Sequence, residues 1–509
     1  MRTEKALKNS ISGVVSYILL ALIAFVVQRV FKDCLGKEFL GINGLFTNIM
    51  SGLGIVELGF GSAIIVNMYR PVAENNIPQI KSLMCYYKKI YRMIAFIVLG
   101  LGLLIMPFTD YLVGKNVAAS INIKIIFLLY LFDSVVSYFL TYKRSILYAN
   151  QRDYYITWLH TAVYITVNLL QVLLLYLTKN FYLFISVSMA SRLIENIIIN
   201  IMANRMYPYL RSKDVSPLDR SIVADIKKKV HGLIFHKIAG FVVTGTDNII
   251  ISVVPGLGVI MVGVYSCYSM ITKKLMGMID ALFNSLTSGV GNLLIEGNKE
   301  KSYEIFKVTH FIVTWIYVFA AVSFYYVSFP FIELWMGKDF VLDGITVFVI
   351  TCDMFFRGNR ASFGTFKSAA GVFYEDRYVP ILEIVVNLCM SIPLAMRFGI
   401  KGVLFGTICS SLVVYTLSYP RYVYRLIFDK SIKTYIIDNA YSILQFVVAF
   451  VAVYVVNSFV NCDSAVLRLV ITLAECCIIP NIVILLMNWK SNEFKYIRTT
   501  GLRLLKRTK

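Results

Sequence analysis

Runs of about twenty apolar residues recur along the whole chain, and no other feature restricts its fold so strongly. A helix rises about 1.5 Å per residue, so roughly twenty apolar residues cross the hydrocarbon layer of a bilayer. Polar or Pro- and Gly-containing breaks separate the runs. Fourteen runs are present, at residues 11–30, 41–66, 91–112, 123–141, 155–177, 181–204, 233–254, 259–290, 308–328, 341–358, 378–396, 402–419, 437–459 and 465–487. The sequence therefore predicts an all-α polytopic membrane protein with about 14 transmembrane helices.

Composition supports this fold class and excludes a role in nucleic-acid binding. Of the 509 residues, 58% are hydrophobic and only 16% are charged, whereas soluble domains have about 25% charged residues. The net charge of +21 could suggest a nucleic-acid partner. The cations, however, lie between apolar runs instead of forming a patch on a soluble fold. We therefore expect membrane lipids, and no nucleic acid, as partners.

Motifs for catalysis or cofactor binding are not found. The nine cysteines and four histidines lack the spacing of metal or disulfide sites. No GxxxxGK[ST] loop is present, and no connection exceeds about thirty residues, which leaves no room for a fused ATPase domain. A membrane glycosyltransferase or polymerase would be expected to have large outer catalytic loops, and the sequence has none. The sequence predicts a protein that is not an enzyme, with no metal and no cofactor.

The distribution of lysine and arginine predicts the orientation. With the amino terminus inside, the inner segments hold 36 of these residues and the outer connections hold 9. Cytoplasmic loops are enriched in Lys and Arg. We therefore predict that both termini are cytoplasmic and that the number of spans is even.

The order of runs and loops predicts five regions. A weak internal similarity at an offset of 222 aligns residues 10–46 with 232–268, so that Gly41 falls on Gly263. Each copy opens a block of six runs with the same orientation, which favours two parallel repeats with substrate bound between two lobes. The predicted regions are a six-helix lobe (1–206), a basic cytoplasmic linker (207–231), a second six-helix lobe (232–430), two extra helices (431–489) and a basic cytoplasmic tail (490–509).

Ionisable residues inside the runs are candidate functional residues, because each costs about 2.5–3.5 kcal/mol at the centre of a bilayer. In the seventh and eighth runs Lys237, Lys273 and Lys274 outnumber Asp247 and Asp280. Either these helices line a water-filled cavity, or the lysines mark a cytoplasmic helix end. The spacing also predicts two same-helix ion pairs, Arg192 with Glu195 and Asp353 with Arg357.

Three isolated positions complete the set of candidates. Glu57 lies in a Gly-rich part of the second run, and Asp133 is the acidic residue of the fourth run. Either could couple transport to an ion or bond to a neighbouring helix. Arg29, at the outer end of the first run, is a ligand or an interfacial anchor.

Several strings resemble the Wzx-type polysaccharide flippases of the multidrug/oligosaccharidyl-lipid/polysaccharide (MOP) exporter superfamily. The similarity is spread over most of the chain, as hydrophobic patterns with embedded polar residues. The strings are LGKEFLGINGLFTNIMSGLGIVELGFGSAI (35–64), TDNIIISVV (246–254), VGVYS (262–266), ELWMG (333–337), AAGVFYEDRYVPILEIVVNLCMSI (369–392) and GIKGVLFGTICS (399–410). The resemblance implies two six-helix lobes around a cavity, often with two further helices at the carboxyl end.

The resemblance also implies a function. It indicates a flippase of the bacterial cytoplasmic membrane that moves an undecaprenyl-diphosphate-linked oligosaccharide from the inner to the outer leaflet, in company with other polysaccharide assembly proteins. The diphosphate is anionic, so its passage needs cations. The candidate cations are Lys237, Lys273, Lys274, Arg29, Arg192 and Arg357, and the candidate ion-coupling acids are Asp247, Glu57 and Asp133. The alternative is a MATE-like cation or drug antiporter, which should have an acidic cavity instead.

Overall fold

The computed structural model describes most of the chain as helix. It describes residues 2–57, 59–114, 121–212, 214–284, 286–372, 375–460, 462 and 464–507; among these, the side chains of residues 2–11, 14, 62, 229, 232, 233, 284, 288 and 501–507 lie outside the description. The chain divides into two compact units, Met1–Ser266 and Cys267–Lys509.

Unit 1 (Met1–Ser266) is built from long helices joined by short connections. Helix α1 packs on α8, α4 and α9 each pack on α6, and α10 packs on α2. Its helices are α1 (Arg2–Leu35), α2 (Lys37–Leu53), α3 (Phe60–Ala73), α4 (Ile77–Ile105), α5 (Thr109–Val113), α6 (Ile123–Thr141), α7 (Arg144–Ala149), α8 (Asp153–Thr178), α9 (Phe181–Met206), α10 (Arg220–Val253) and the first part of α11 (Gly258–Asn284).

Unit 2 (Cys267–Lys509) continues from the second part of α11. Helix α13 packs on α14 and α18, and α15 packs closely on α16. Its other helices are α12 (Thr287–Ile295), α13 (Lys299–Met336), α14 (Gly344–Ala370), α15 (Val379–Phe398), α16 (Ile400–Val413), a π-helix (Val414–Arg425), α17 (Ile432–Asn457), α18 (Ala465–Asn488) and α19 (Asn492–Arg507).

The predicted apolar runs are mostly helical in the described residues, so the prediction of an all-α polytopic membrane protein is confirmed. Eleven candidate spans meet the length and hydropathy expected of a membrane helix within the described residues. Helices α1, α11 and α14 are not among the eleven, and α11 and α14 contain embedded charges such as Lys273 and Arg357. These charges lower the mean hydropathy of helices that are otherwise long enough to span.

Four runs depart from a single regular helix. The third passes from α4 through a 3-10 turn (Met106–Phe108) into α5, and the eighth extends from α11 into α12. The second run breaks after α2 into a 3-10 turn (Gly54–Glu57), and α3 begins after Gly59, whose φ of 80° favours glycine. The twelfth run ends in the π-helix, which contains Pro420. Proline removes a backbone donor and its ring crowds the carbonyl four residues earlier, so a wider turn relieves the clash.

The start of helix α19 is attached to unit 2 by apolar contacts and one ion pair. The ring of Phe494 lies 5.6 Å from the ring of Trp489 and 6.4 Å from that of Trp315, measured between centroids. The Nζ of Lys307 lies 2.8 Å from Oε1 of Glu493. Burial by itself raises the pKa of the Glu493 carboxyl, but its hydrogen bond to Lys307 outweighs this effect and holds the pKa below the usual value of 4.5.

We expect this attachment to weaken in acid. A carboxyl whose pKa is lowered in the folded state stabilises that state above its unfolded pKa, and the contribution is lost as the pH falls through the lower, folded value. Tryptophan fluorescence followed from pH 7 to below about 4.5 should therefore report release of α19. The E493Q variant should show a pH-independent signal over this range; an unchanged transition in E493Q would assign it to another group.

Candidate functional site

Glu57 lies at the break between α2 and α3, within unit 1. Its Oε1 accepts a hydrogen bond from the Tyr91 hydroxyl, which in turn accepts one from the Tyr87 hydroxyl at 2.9 Å. A Cβ atom at Gly61 would lie 2.7 Å from the same carboxylate oxygen, so glycine leaves room for it. Among the described residues no basic group lies within ion-pair distance of Glu57. Glu57 is therefore a carboxylate at a helix break. It accepts a hydrogen bond from Tyr91, whose hydroxyl is bonded in turn to Tyr87.

Asp133 and Arg192 are partners in unit 1. The Nε of Arg192, on α9, lies 3.2 Å from Oδ1 of Asp133, on α6. The Asp133 side chain is 14% exposed and that of Arg192 is 52% exposed. A predicted coupling acid and a predicted anion ligand thus neutralise each other.

The predicted pair of Arg192 with Glu195 is wrong, because Glu195 has other partners. Its Oε1 lies 2.7 Å from Nη2 of Arg144, and its Oε2 lies 3.0 Å from Nδ1 of His160. The short helix α7 begins at Arg144 and brings this guanidinium to the buried face of α9. Sequence spacing places Arg192 and Glu195 on one face of α9, but packing against α6, α7 and α8 gives each a nearer partner.

The remaining candidates of unit 1 lie on α1 and α10. The Nε of Arg29 lies 2.7 Å from Oδ2 of Asp33, one turn along the same helix. Lys237 is exposed, whereas Asp247, ten residues later on α10, is buried and accepts a hydrogen bond from the Tyr265 hydroxyl at 3.3 Å. Lys237 and Asp247 are therefore far apart on the helix and also differ in their exposure to solvent.

Lys273 and Lys274 lie on the part of α11 that belongs to unit 2. Lys273 is exposed and Lys274 is half-buried. Asp280, further along the helix, accepts a hydrogen bond from the Tyr317 hydroxyl of α13 at 3.0 Å. The acid of this helix thus has a tyrosine partner from a neighbouring helix.

The predicted pair of Asp353 with Arg357 is confirmed. The Nη2 of Arg357 lies 2.7 Å from Oδ2 of Asp353, one turn earlier on α14. Both side chains are largely buried, with 21% and 11% exposure. Each of the three candidate arginines therefore has a carboxylate within its own unit.

Two further buried ion pairs on α14 were missed by the sequence analysis. Arg360 lies 3.0 Å from Oε1 of Glu383, on α15, and its Nε donates to the Tyr419 hydroxyl at 3.0 Å. Lys367 pairs with Asp376, which also accepts a hydrogen bond from the Ser418 hydroxyl at 2.8 Å.

The tenth run was predicted to end at residue 358, which placed Arg360 and Lys367 in a loop, but α14 continues to Ala370. The polar residues Asn359 and Ser362, just beyond residue 358, are buried. Thr314 donates to Oδ1 of Asn359 at 2.9 Å, and Nδ1 of His310 lies 2.9 Å from the Ser362 hydroxyl. A search for charges at helical spacing beyond residue 358 would have flagged Arg360, which lies three residues after Arg357.

No cluster of three or more His, Cys, Asp or Glu side chains suited to a metal ion is found within the described parts of the chain. The polar groups described above are paired carboxylates, cations and tyrosine hydroxyls. Such groups can bind and release anions, protons or single cations during a conformational cycle.

The fold has relatives among solved transporters, although no family model and no curated protein matches the sequence at a significant level. The lipid II flippase MurJ, in an inward-closed conformation, aligns with a TM-score of 0.64 and 15% identity over 94% of this chain and 98% of that chain. A variant of the MATE transporter VcmN from Vibrio cholerae aligns with a TM-score of 0.56 and 16% identity over 81% of this chain and 96% of that chain.

A third structure is an inward-facing MATE family multidrug resistance transporter of the MOP superfamily. It aligns with a TM-score of 0.55 and 15% identity over 77% of this chain and 92% of that chain. At such low identity the likeness concerns the fold. This multi-pass membrane protein therefore has the fold that the lipid II flippase MurJ shares with the MATE transporters of the MOP superfamily.

Proposed function

We propose that this protein is a Wzx-type flippase that moves an undecaprenyl-diphosphate-linked oligosaccharide from the inner to the outer leaflet of the bacterial cytoplasmic membrane by alternating access. The observation that carries the proposal is the alignment with a lipid II flippase over 94% of this chain and 98% of that chain. The MATE structures align over 77% and 81% of this chain. The likeness to a flippase of a lipid-linked substrate thus extends over more of the sequence.

The charges support an anionic substrate. A lipid diphosphate carries about two negative charges, which bind to Lys and Arg side chains. Arg29, Arg192 and Arg357 each lie beside a carboxylate. In this proposal Lys237, Lys273 and Lys274 bind the diphosphate, and the three arginines have an accessory role. Glu57, Asp133 and Asp247 are the candidates for ion coupling, and the protein performs no covalent chemistry.

Replacing Lys237, Lys273 and Lys274 together by alanine should abolish transport. Charge-assisted bonds to an anion contribute about 1.5–3 kcal/mol each, so loss of three should reduce transport at least a hundredfold at limiting substrate. Transport is measured as the appearance of lipid-linked glycan in the outer leaflet of vesicles containing the purified protein. Lys-to-Arg variants at the same positions should retain activity.

The control replaces two other exposed lysines by alanine, on the helix that carries Lys237. Lys227 and Lys228 are exposed residues near the start of α10, ten and nine residues before Lys237. The K227A/K228A variant should transport normally with unchanged protein level. Normal transport by the triple variant, with all three lysines absent, would contradict the role of these lysines.

A MATE-like cation antiporter is the second candidate, because two MATE structures share the fold with TM-scores of 0.55 and 0.56. The two candidates differ in the charge of the substrate. Vesicles containing the purified protein should move a lipid-linked glycan and leave a cationic dye untouched if the protein is a flippase. Dye efflux driven by an ion gradient, without glycan movement, would favour the antiporter.

A further inference from the structure

The last helix of unit 2 has one face on the protein and another that is open. Phe494 and Ile497 pack against the buried cluster of unit 2 that includes Trp315. Lys495, Tyr496 and Arg498 are exposed on the same helix. The helix thus packs its apolar side on the protein and leaves its basic side exposed.

The exposed cations of this segment are not neutralised by the protein. Lys490, Lys495 and Arg498 have no carboxylate within ion-pair distance among the described residues. The acidic residue of the tail, Glu493, is already paired with Lys307. The sequence adds Arg503, Lys506 and Arg507 to the same helix.

Cations near the start of α13, in contrast, are paired with carboxylates. Lys299 lies 3.8 Å from Asp429, and Lys301 lies 2.8 Å from Glu296. Lys430 lies 2.7 Å from Glu300. The unpaired charge is therefore a property of the tail segment and not of every exposed cation in this part of unit 2.

Two exposed aromatic side chains accompany the unpaired cations. Trp489, directly after α18, is 58% exposed, and Tyr496 is 47% exposed. Trp and Tyr are enriched at the level of the lipid head groups, where one part of the ring system is apolar and another part is wet. Aromatic rings and unpaired cations on one short segment fit a lipid surface better than they fit a soluble acidic partner.

We propose that the segment Trp489–Arg498 at the start of α19 binds anionic phospholipid head groups. The apolar side of the helix holds it to unit 2, so the protein presents the cations to the lipid without an ordering step. Each Lys or Arg near an anionic membrane surface contributes a factor of about five in association. This binding is independent of the transported substrate and does not require the proposed flippase activity.

The test measures lipid binding by the full-length purified protein in detergent. Phosphatidylglycerol or phosphatidylcholine is titrated in, and occupancy is read by native mass spectrometry. We expect preferential binding of phosphatidylglycerol, weakened about thirtyfold in the K495Q/R498Q variant and sensitive to salt. The matched control is K179Q/K338Q, which removes the same charge from exposed residues outside the tail.

Three outcomes would overturn the proposal. Equal affinity for the two lipids would mean that the segment does not distinguish charge. Unchanged phosphatidylglycerol binding in K495Q/R498Q would place the anionic lipid elsewhere. An equal loss of phosphatidylglycerol binding in K179Q/K338Q would mean that binding depends on the net charge of the protein and not on this segment. Because no transport is measured, failure of the flippase proposal would leave this result unaffected.

Discussion

Replacing Glu383 by leucine is expected to destabilise the protein by about 3–5 kcal/mol, because it leaves a buried guanidinium without its carboxylate. The Nη1 of Arg360 lies 3.0 Å from Oε1 of Glu383, and the two side chains are 24% and 7% exposed. The hydroxyl of Tyr419 accepts a hydrogen bond from Nε of Arg360 but carries no charge to offset it. The free energy of unfolding, measured in mixed detergent micelles, should fall accordingly.

A double-mutant cycle separates the ion pair from loss of packing. The R360M variant should also be destabilised, since it leaves the Glu383 carboxylate buried and unpaired. In R360M/E383L both charges are absent and much of the volume is kept, so stability should recover most of the loss. Additive losses in the double variant would mean that the two side chains do not act as a pair.

An exposed pair serves as the matched control. Arg70 and Glu74 are joined at 2.8 Å with one-turn spacing on the surface of unit 1. Solvent screens such a pair, and its net contribution is small. The R70M/E74L variant should therefore unfold at the same detergent composition as the wild type.

Replacing Gly402 by alanine is also expected to destabilise the protein, for a steric reason. A Cβ atom at this position would lie 2.0 Å from the carbonyl oxygen of Leu394 and 2.7 Å from the amide nitrogen of Ala395. These are backbone atoms of α15, so no side-chain rotation can relieve the contact. Helices α15 and α16 would have to move apart, and overpacking of this kind costs about 1–3 kcal/mol or more.

A second variant, G364A, serves as the control for the steric clash. Gly364 lies inside α14, and a Cβ atom there would have no neighbour within 4 Å. Alanine is the better helix former, so G364A should leave stability unchanged or raise it by up to about 1 kcal/mol. A melting temperature for G402A equal to that of G364A would show that α15 and α16 are not in backbone contact at this point.

Local spacing correctly predicted one of the two same-helix ion pairs. Asp353 and Arg357 stand one turn apart, and they pair at 2.7 Å as the spacing indicates. Arg192 and Glu195 have an equally suitable spacing, yet they take partners from α6, α7 and α8. The same pattern thus had two outcomes, since a neighbouring helix brought a nearer charge in one case only.

The end of a helix was the second feature that the sequence did not predict correctly. The tenth run was predicted to end at residue 358, but α14 continues past Asn359 and Ser362, and hydrogen bonds to Thr314 and His310 satisfy these polar residues inside unit 2. The energetic cost of a polar group depends on whether a partner is within reach. That information is absent from the hydropathy of a single helix.

The sequence by itself determined the all-α membrane fold class and the approximate limits of most apolar helices, because bilayer thickness sets how many apolar residues a span needs. It also indicated the resemblance to MOP exporters and the residues that are costly in a membrane. Only the tertiary structure decided the partners of those residues: Glu57 with tyrosines, Arg192 with Asp133, and Arg360 with Glu383. Ion pairs and hydrogen bonds form over about 3 Å in space, and distance along the chain does not fix which groups on different helices come that close.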